Sequence, residues 1–120
     1  NISSLAAQRT QPELLAYSIA GAALDQATRS LALALAPQRI RVNGIACGWM
    51  DTPGEDITQR KYHGASDGWL EQAEARQPFG SLVKPDHVAG LAAYMLGPES
   101  GVMTGSIVDF DQNVSGAYPE

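Results

Sequence analysis

A parallel α/β sheet with helical crossovers is the fold class this sequence predicts, on three observations. Apolar runs with strand character stand at residues 1–4, 41–46 and 106–111. A long helical pattern separates the first two, and shorter helical patterns separate the second from the third. Parallel strands cannot be joined by a tight turn and need such crossovers, so this order points to a parallel sheet. The third observation is what is missing: no repeats, linkers or low-complexity tracts interrupt the 120 residues, which suffice for one modest core.

The elements follow in order. Asn1-Ile2-Ser3-Ser4 reads as the end of a strand, and Leu5 to Gln11 as a polar loop. Pro12-Glu13 opens a helix, with Thr10 and Glu13 at capping-box spacing. Leu14 to Ala36 is helical: Ala20, Leu24, Ala27, Leu31 and Leu35 recur at three- and four-residue steps, with Asp25 and Arg29 on another face. Its many alanines make it slim enough to pack closely on a sheet or a second helix. Pro37 ends it.

Arg41 to Ala46 reads as a short buried strand, and Cys47 to Gly54 as a turn-rich loop. Glu55 to Arg76 is helical in pieces, broken around residues 64–68, and carries Tyr62, His63 and Trp69. Pro85 begins a further helix with Val88, Leu91, Ala92, Met95 and Leu96 as its apolar stripe, and Gly97-Pro98 stops it. Ser106 to Asp111 is the last strand, followed by an irregular tail. Ligands of such sheets bind beyond the carboxyl ends of the strands. Ser4 and the Cys47–Thr52 loop both fall there.

Composition narrows the partners. A net charge of −5, two lysines and no basic run argue against nucleic acid and against an anionic membrane surface. No apolar stretch approaches membrane-spanning length and no secretory leader is visible. With a single cysteine, Cys47, the expectation is a soluble cytoplasmic protein. His63 and His87 lack metal-ligand spacing, so no metal is expected. Asp109 and Asp111 are expected to shape the end of a strand. The chain opens on Asn1, in mid-strand, and is expected to be a fragment of a longer protein.

Ser4 lies thirteen residues before Tyr17, and Gly21 stands four after it, on the same helix face. These residues, with Tyr17-Ser18-Ile19-Ala20-Gly21-Ala22-Ala23-Leu24, Arg41-Val42-Asn43-Gly44-Ile45-Ala46-Cys47-Gly48-Trp49-Met50-Asp51-Thr52 and Gly101 to Asp109, resemble the short-chain dehydrogenase/reductase family. The resemblance runs through the whole chain in family order. It implies that residues 1–120 are the C-terminal half of a Rossmann-type doubly wound parallel sheet, without the glycine-rich cofactor fingerprint.

The implied chemistry is hydride transfer between NAD or NADP, NAD being slightly favoured, and a small alcohol or carbonyl compound, with a tilt towards sugars and polyols. Tyr17 would be the general acid/base, and Ser4 would hydrogen-bond the substrate oxygen. Ile2, Tyr17, Cys47, Gly48, Met50 and Thr52 would face the cofactor. Trp49, Tyr62, His63 and Trp69 are the candidate substrate pocket. The long helix would join subunits into a homodimer or homotetramer.

Two residues depart from the family pattern. Cys47 replaces a proline, which a turn tolerates. Gly21 replaces the lysine whose charge assists the tyrosine, since an unassisted phenol titrates near 10. A catalytically impaired fragment or pseudoenzyme that keeps only fold and assembly surface is therefore the alternative reading.

Overall fold

The computed structural model describes residues 1–9 and 12–114. Three strands, β1 (Ile2–Ser4), β2 (Gly44–Cys47) and β3 (Ile107–Phe110), form a sheet in the order β1-β2-β3. Both pairings are parallel: Ser4 lies opposite Cys47, and Cys47 opposite Phe110. The crossovers are α1 (Leu15–Leu35) on one side, and α2 (Pro53–Tyr62), α3 (Trp69–Ala75) and α4 (Pro85–Leu96) between β2 and β3. The expected fold class is the observed one.

Side-chain alternation along β2 assigns the two faces. Ile45 and Cys47 join Val83, Val88 and Met95 in the main core, with Val108 and Phe110 against them. The other face is floored by small residues, Gly44 and Ala46, and faces α1. A Cβ at Gly44 would come within 2.8 Å of Ile107 Cδ1 and 3.8 Å of Thr28 Cγ2, so helix and sheet meet closely there.

That small-residue floor explains a correction. The leucine-bearing stripe of α1 is not the face that meets the sheet. Asp25, Thr28 and Ala32 are the buried residues of α1, whereas Leu31 is exposed. At about 100° per residue the buried face is rotated roughly a quarter turn from the stripe. Thr28 is fully buried and satisfied, donating to Leu24 O at 2.8 Å and accepting from Asn1 Nδ2 at 2.7 Å. Asp25, expected on another face, is 5% exposed, and its Oδ1 has no hydrogen-bond partner among the described residues.

Boundaries moved by a few residues. The helix spans Leu15–Leu35 rather than Leu14–Ala36, because tight 3₁₀ turns at Pro12–Leu14 and Ala36–Gln38 flank it. Thr10, half of the expected capping box, lies outside the described residues. β2 begins at Gly44 rather than Arg41, since residues 41–43 bind a loop instead of a ladder. Thr104 Oγ1 accepts from Val42 N, Asn43 Nδ2 donates to Met103 O at 2.8 Å, and Ser106 N donates to Asn43 Oδ1. The Arg41 guanidinium donates to four carbonyls, Met95, Leu96, Gly97 and Met103, and to Ser100 Oγ. It thereby shares the carbonyls at the end of α4 with Ser100 Oγ, which lies 3.0 Å from Met95 O and 2.9 Å from Gly97 O. Leu96, the last residue of the expected α4 stripe, is 83% exposed.

Candidate active site

The site is built at the carboxyl ends of β1 and β2. Ser4 ends β1 and caps the 3₁₀ turn Leu5–Ala7, accepting from Ala6 N at 3.2 Å. A serine hydroxyl has two lone pairs and one O–H, so this cap leaves the proton free to donate to a substrate oxygen. Tyr17 lies in the first turn of α1, 57% exposed.

Gly21 lies one turn further along. A Cβ there would stand 3.0 Å from Ala7 Cβ and 3.8 Å from Ser3 Oγ. The 3₁₀ turn therefore sits down on the glycine, and the Ala7 methyl occupies the space through which a longer side chain would leave the helix. Ser3 Oγ, beside this contact, and Ser18 Oγ are buried without hydrogen-bond partners among the described residues. Ala7 carries no sequence signal of its own. Only the packing of the turn on Gly21 reveals it.

Across β2 the chain enters the second part of the site. Gly48 N donates to Phe110 O at 3.0 Å, and the Asp111 carboxylate fills the space a Cβ would need at Gly48. Arg9 reaches Asp111 Oδ2 at 3.3 Å, tying the loop after β1 to the end of β3. The Cys47 thiol is buried, and burial pushes its pKa up, so it is a packing residue rather than a nucleophile. Thr52 caps α2 by accepting from Glu55 N at 3.1 Å, with Pro53 in the first helical turn.

The loop offers what an anionic, amide-bearing cofactor needs. Met50 N–H and Thr52 N–H have no hydrogen-bond partner among the described residues, and Thr52 keeps its hydroxyl proton. Unpaired donors ahead of a helix N-terminus suit phosphate and carboxamide oxygens. The residues present fit a nicotinamide dinucleotide on this side. Ile2, at the start of β1 and 56% exposed, pairs with Ile45 of β2.

The four candidate pocket residues separate into two groups. Trp49 and Trp69 stack, ring centroids 6.3 Å apart and planes 29° apart. Trp69 is buried with Ala73 and Leu82, whereas Trp49 is 40% exposed. Tyr62 and His63, at the far end of α2, point to solvent; the Lys61 ammonium lies 5.1 Å from the Tyr62 ring centre. Trp69 Nε1 donates to Asp56, which together with Arg60 holds that carboxyl below its usual range.

A polar clamp that the sequence did not advertise holds the loop in place. Asp51 N donates to Val83 O and Val83 N to Trp49 O, both at 2.9 Å. Lys84 Nζ then bridges Asp51 at 2.8 Å and Glu74 at 2.5 Å. Its partners lie 33 and 10 residues away, which hides them from local pattern reading. The Lys84 ammonium, helped by the Leu82 amide, holds the Glu74 carboxyl below the carboxylate range; Asp51 first, then Glu74, raises the Lys84 pKa.

A depressed carboxyl contributes stability above its unfolded pKa and loses it as pH falls through the folded value; a raised lysine loses its contribution only as pH rises through its folded value. The clamp therefore acts between the ordinary carboxylate and lysine ranges. Glu74→Gln is expected to lower the urea midpoint at neutral pH, with the difference from wild type closing below about pH 4. A gap of constant size across that titration would contradict the assignment.

Among the described residues no three His, Cys, Asp or Glu side chains gather to hold a metal, and no helix is long and apolar enough to cross a membrane.

Comparison with known proteins agrees with this geometry. A family model described as enoyl-(acyl carrier protein) reductase matches residues 1–114. The short-chain reductase protein NovJ of Streptomyces niveus is 32% identical over 111 residues, covering 92% of this chain and 42% of the relative. The dehydrogenase/reductase SDR family member 4 of Caenorhabditis elegans is 34% identical over 106 residues, covering 88% and 40%. An NADPH-bound short-chain oxidoreductase of Pseudomonas aeruginosa with an atypical catalytic centre superposes with a TM-score of 0.80 at 31% identity, over 98% of this chain and 45% of that one. The chain thus spans well under half the length of the curated relatives it matches. Its three parallel strands correspond to about half of a Rossmann-fold dehydrogenase structure. The chain belongs to the short-chain dehydrogenase/reductase family.

Proposed function

We propose that this chain is the C-terminal, substrate-facing part of one Rossmann-like domain that transfers hydride between NAD or NADP and a secondary alcohol or its ketone. The observation that carries the proposal is the pairing of Ser4 with Cys47 across β1 and β2. It sets a serine proton, free among the described residues, beside a loop whose Met50 and Thr52 amides have no partner among them. The open outer edge of β1 and the partial coverage of the relatives support a larger sheet around it.

In this reading Ser4 O–H donates to the substrate oxygen and fixes it near Tyr17. Tyr17 takes the hydroxyl proton as the alcohol becomes a ketone, and returns it in the reverse direction. The bound nicotinamide supplies or accepts the hydride. Met50 and Thr52 orient that ring and its phosphates through their backbone amides and the Thr52 hydroxyl, and Gly48, whose amide is held by Phe110 O, lets the cofactor approach the backbone closely. Solved relatives hold both NADPH and NAD⁺, the latter in a xylitol dehydrogenase, which keeps both cofactors and a polyol substrate in the proposal. Exposed Leu15, Ile19, Leu31 and Leu33 on α1 support association into a homodimer or homotetramer.

A second reading, a pseudoenzyme, is favoured by one specific feature: Ala7 packed on Gly21 where the assisting lysine would emerge. Turnover of polyols and ketones with each cofactor, alongside fluorescence titration of NAD and NADP, separates the two. Cofactor binding with turnover supports the enzyme, and binding without turnover supports the pseudoenzyme.

A further inference from the structure

We propose that Trp49 is a stacking platform for a polyhydroxylated substrate, with the Glu55 carboxylate as the acceptor for its hydroxyls. This deepens the oxidoreductase reading and rests on it. Trp49 follows Gly48 directly, in the loop beyond the carboxyl end of β2. Its back rests on Trp69 at 6.3 Å, and Trp69 is itself only 9% exposed. Its edge is pinned, because Nε1 donates to Glu55 Oε1 at 2.7 Å. Back and edge are both committed, and the outer face of a preorganised indole is left open.

Glu55 is held as firmly. Gln59 Nε2 donates to the same Oε1 at 2.7 Å, and the second carboxylate oxygen has no partner among the described residues. An aromatic face beside an acceptor-only oxygen matches a polyol, which presents polarised C–H groups on one side and O–H donors at its rim. A simple cyclic ketone would cover the indole and bring no donor to the second Glu55 oxygen, which is unfavourable. A cation would be drawn to both groups, but the surrounding charge does not favour one. Asp56 is bonded to Arg60 at 2.9 and 3.0 Å, and Asp51 and Glu74 are bonded to Lys84. Trp69, by contrast, backs the platform and does not contact the ligand, and Tyr62 and His63 take no part.

Trp49 and Trp69 are the two tryptophans of the chain, so intrinsic fluorescence reports on the platform without turnover. Xylitol is expected to produce a saturable change in that fluorescence, and cyclohexanone and choline a much weaker one. Calorimetric titration of variants completes the test. Trp49→Leu should abolish xylitol binding, Trp49→Phe should retain it in part, and Glu55→Gln should weaken it roughly tenfold while leaving cyclohexanone unaffected.

Equal or tighter binding of choline or cyclohexanone overturns the proposal, as does unchanged xylitol binding in Trp49→Leu and Glu55→Gln. Hydride transfer is measured separately. Xylitol binding that depends on Trp49 but proceeds without turnover sustains the platform while removing the enzymatic reading. Turnover indifferent to Trp49 and Glu55 removes the platform while sustaining the enzyme.

Discussion

Gly21→Lys is expected to raise hydride transfer by about 10²–10⁴-fold in the protein that carries the complete dinucleotide site, the range a positioned general acid/base system supplies. A lysine four residues after Tyr17 shares its face of α1 and places a cation within reach of the developing phenolate. The substitution also removes a mid-helix glycine, worth about 1 kcal/mol of helix stability. The obstacle is local. Its Cβ would meet Ala7 Cβ at 3.0 Å, a contact that the 3₁₀ turn must relax to admit. Gly21→Lys combined with Ala7→Gly should therefore exceed the single variant. Steady-state kcat/KM and its pH profile check both. If neither variant gains turnover while the purified proteins remain folded, the missing cation is not what limits this site.

Arg41→Met should cost about 3 kcal/mol of folding stability, a large fraction of the roughly 5–15 kcal/mol typical of a domain. The reason is geometric. One guanidinium donates to Met95 O at 2.8 Å, Gly97 O at 3.0 Å and Ser100 Oγ at 2.6 Å, with longer bonds to Leu96 and Met103. No carboxylate takes part, and when the guanidinium donors go the single Ser100 hydroxyl can serve only one of Met95 O and Gly97 O at a time; the other carbonyls at the end of α4 are left beside an apolar side chain. Arg41→Lys should recover less than half, because a single ammonium cannot span acceptors arrayed around a planar fork. Urea unfolding with an unchanged m-value would measure this loss. A change below about 0.5 kcal/mol, the range of ordinary surface substitutions, would refute it.

What was legible in the sequence was whatever depends on short range. Pro85 and Pro37 punctuate helices, apolar runs mark β2 and β3, and the spacing of Ser4, Tyr17 and Gly21 survives because it is fixed by consecutive turns of chain. The buried face of α1 was not legible. Leucine periodicity advertised one side, but a sheet floored by Gly44 and Ala46 lets the helix approach closely, and the side that meets it bears Asp25, Thr28 and Ala32. Arg41 to Asn43 looked like strand because their composition is strand-like, yet their hydrogen bonds run to residues some 50 to 60 positions away. The candidate pocket shows the same limit. Aromatic content picked out Trp49, Tyr62, His63 and Trp69 together, and only their packing distinguishes a buried backing ring from an open one.

The place of Cys47 on the central strand gives the molecule an internal clock. Its side chain is 4% exposed, flanked by β1 and β3, and burial shifts the thiol away from the reactive thiolate. An alkylating reagent can reach it only when the packing of Val83, Val88 and Met95 over β2 opens, because these side chains cover the face of the strand that carries the thiol. The rate at which the single thiol is consumed at neutral pH thus counts openings of the core one molecule at a time, and needs no denaturant to do so.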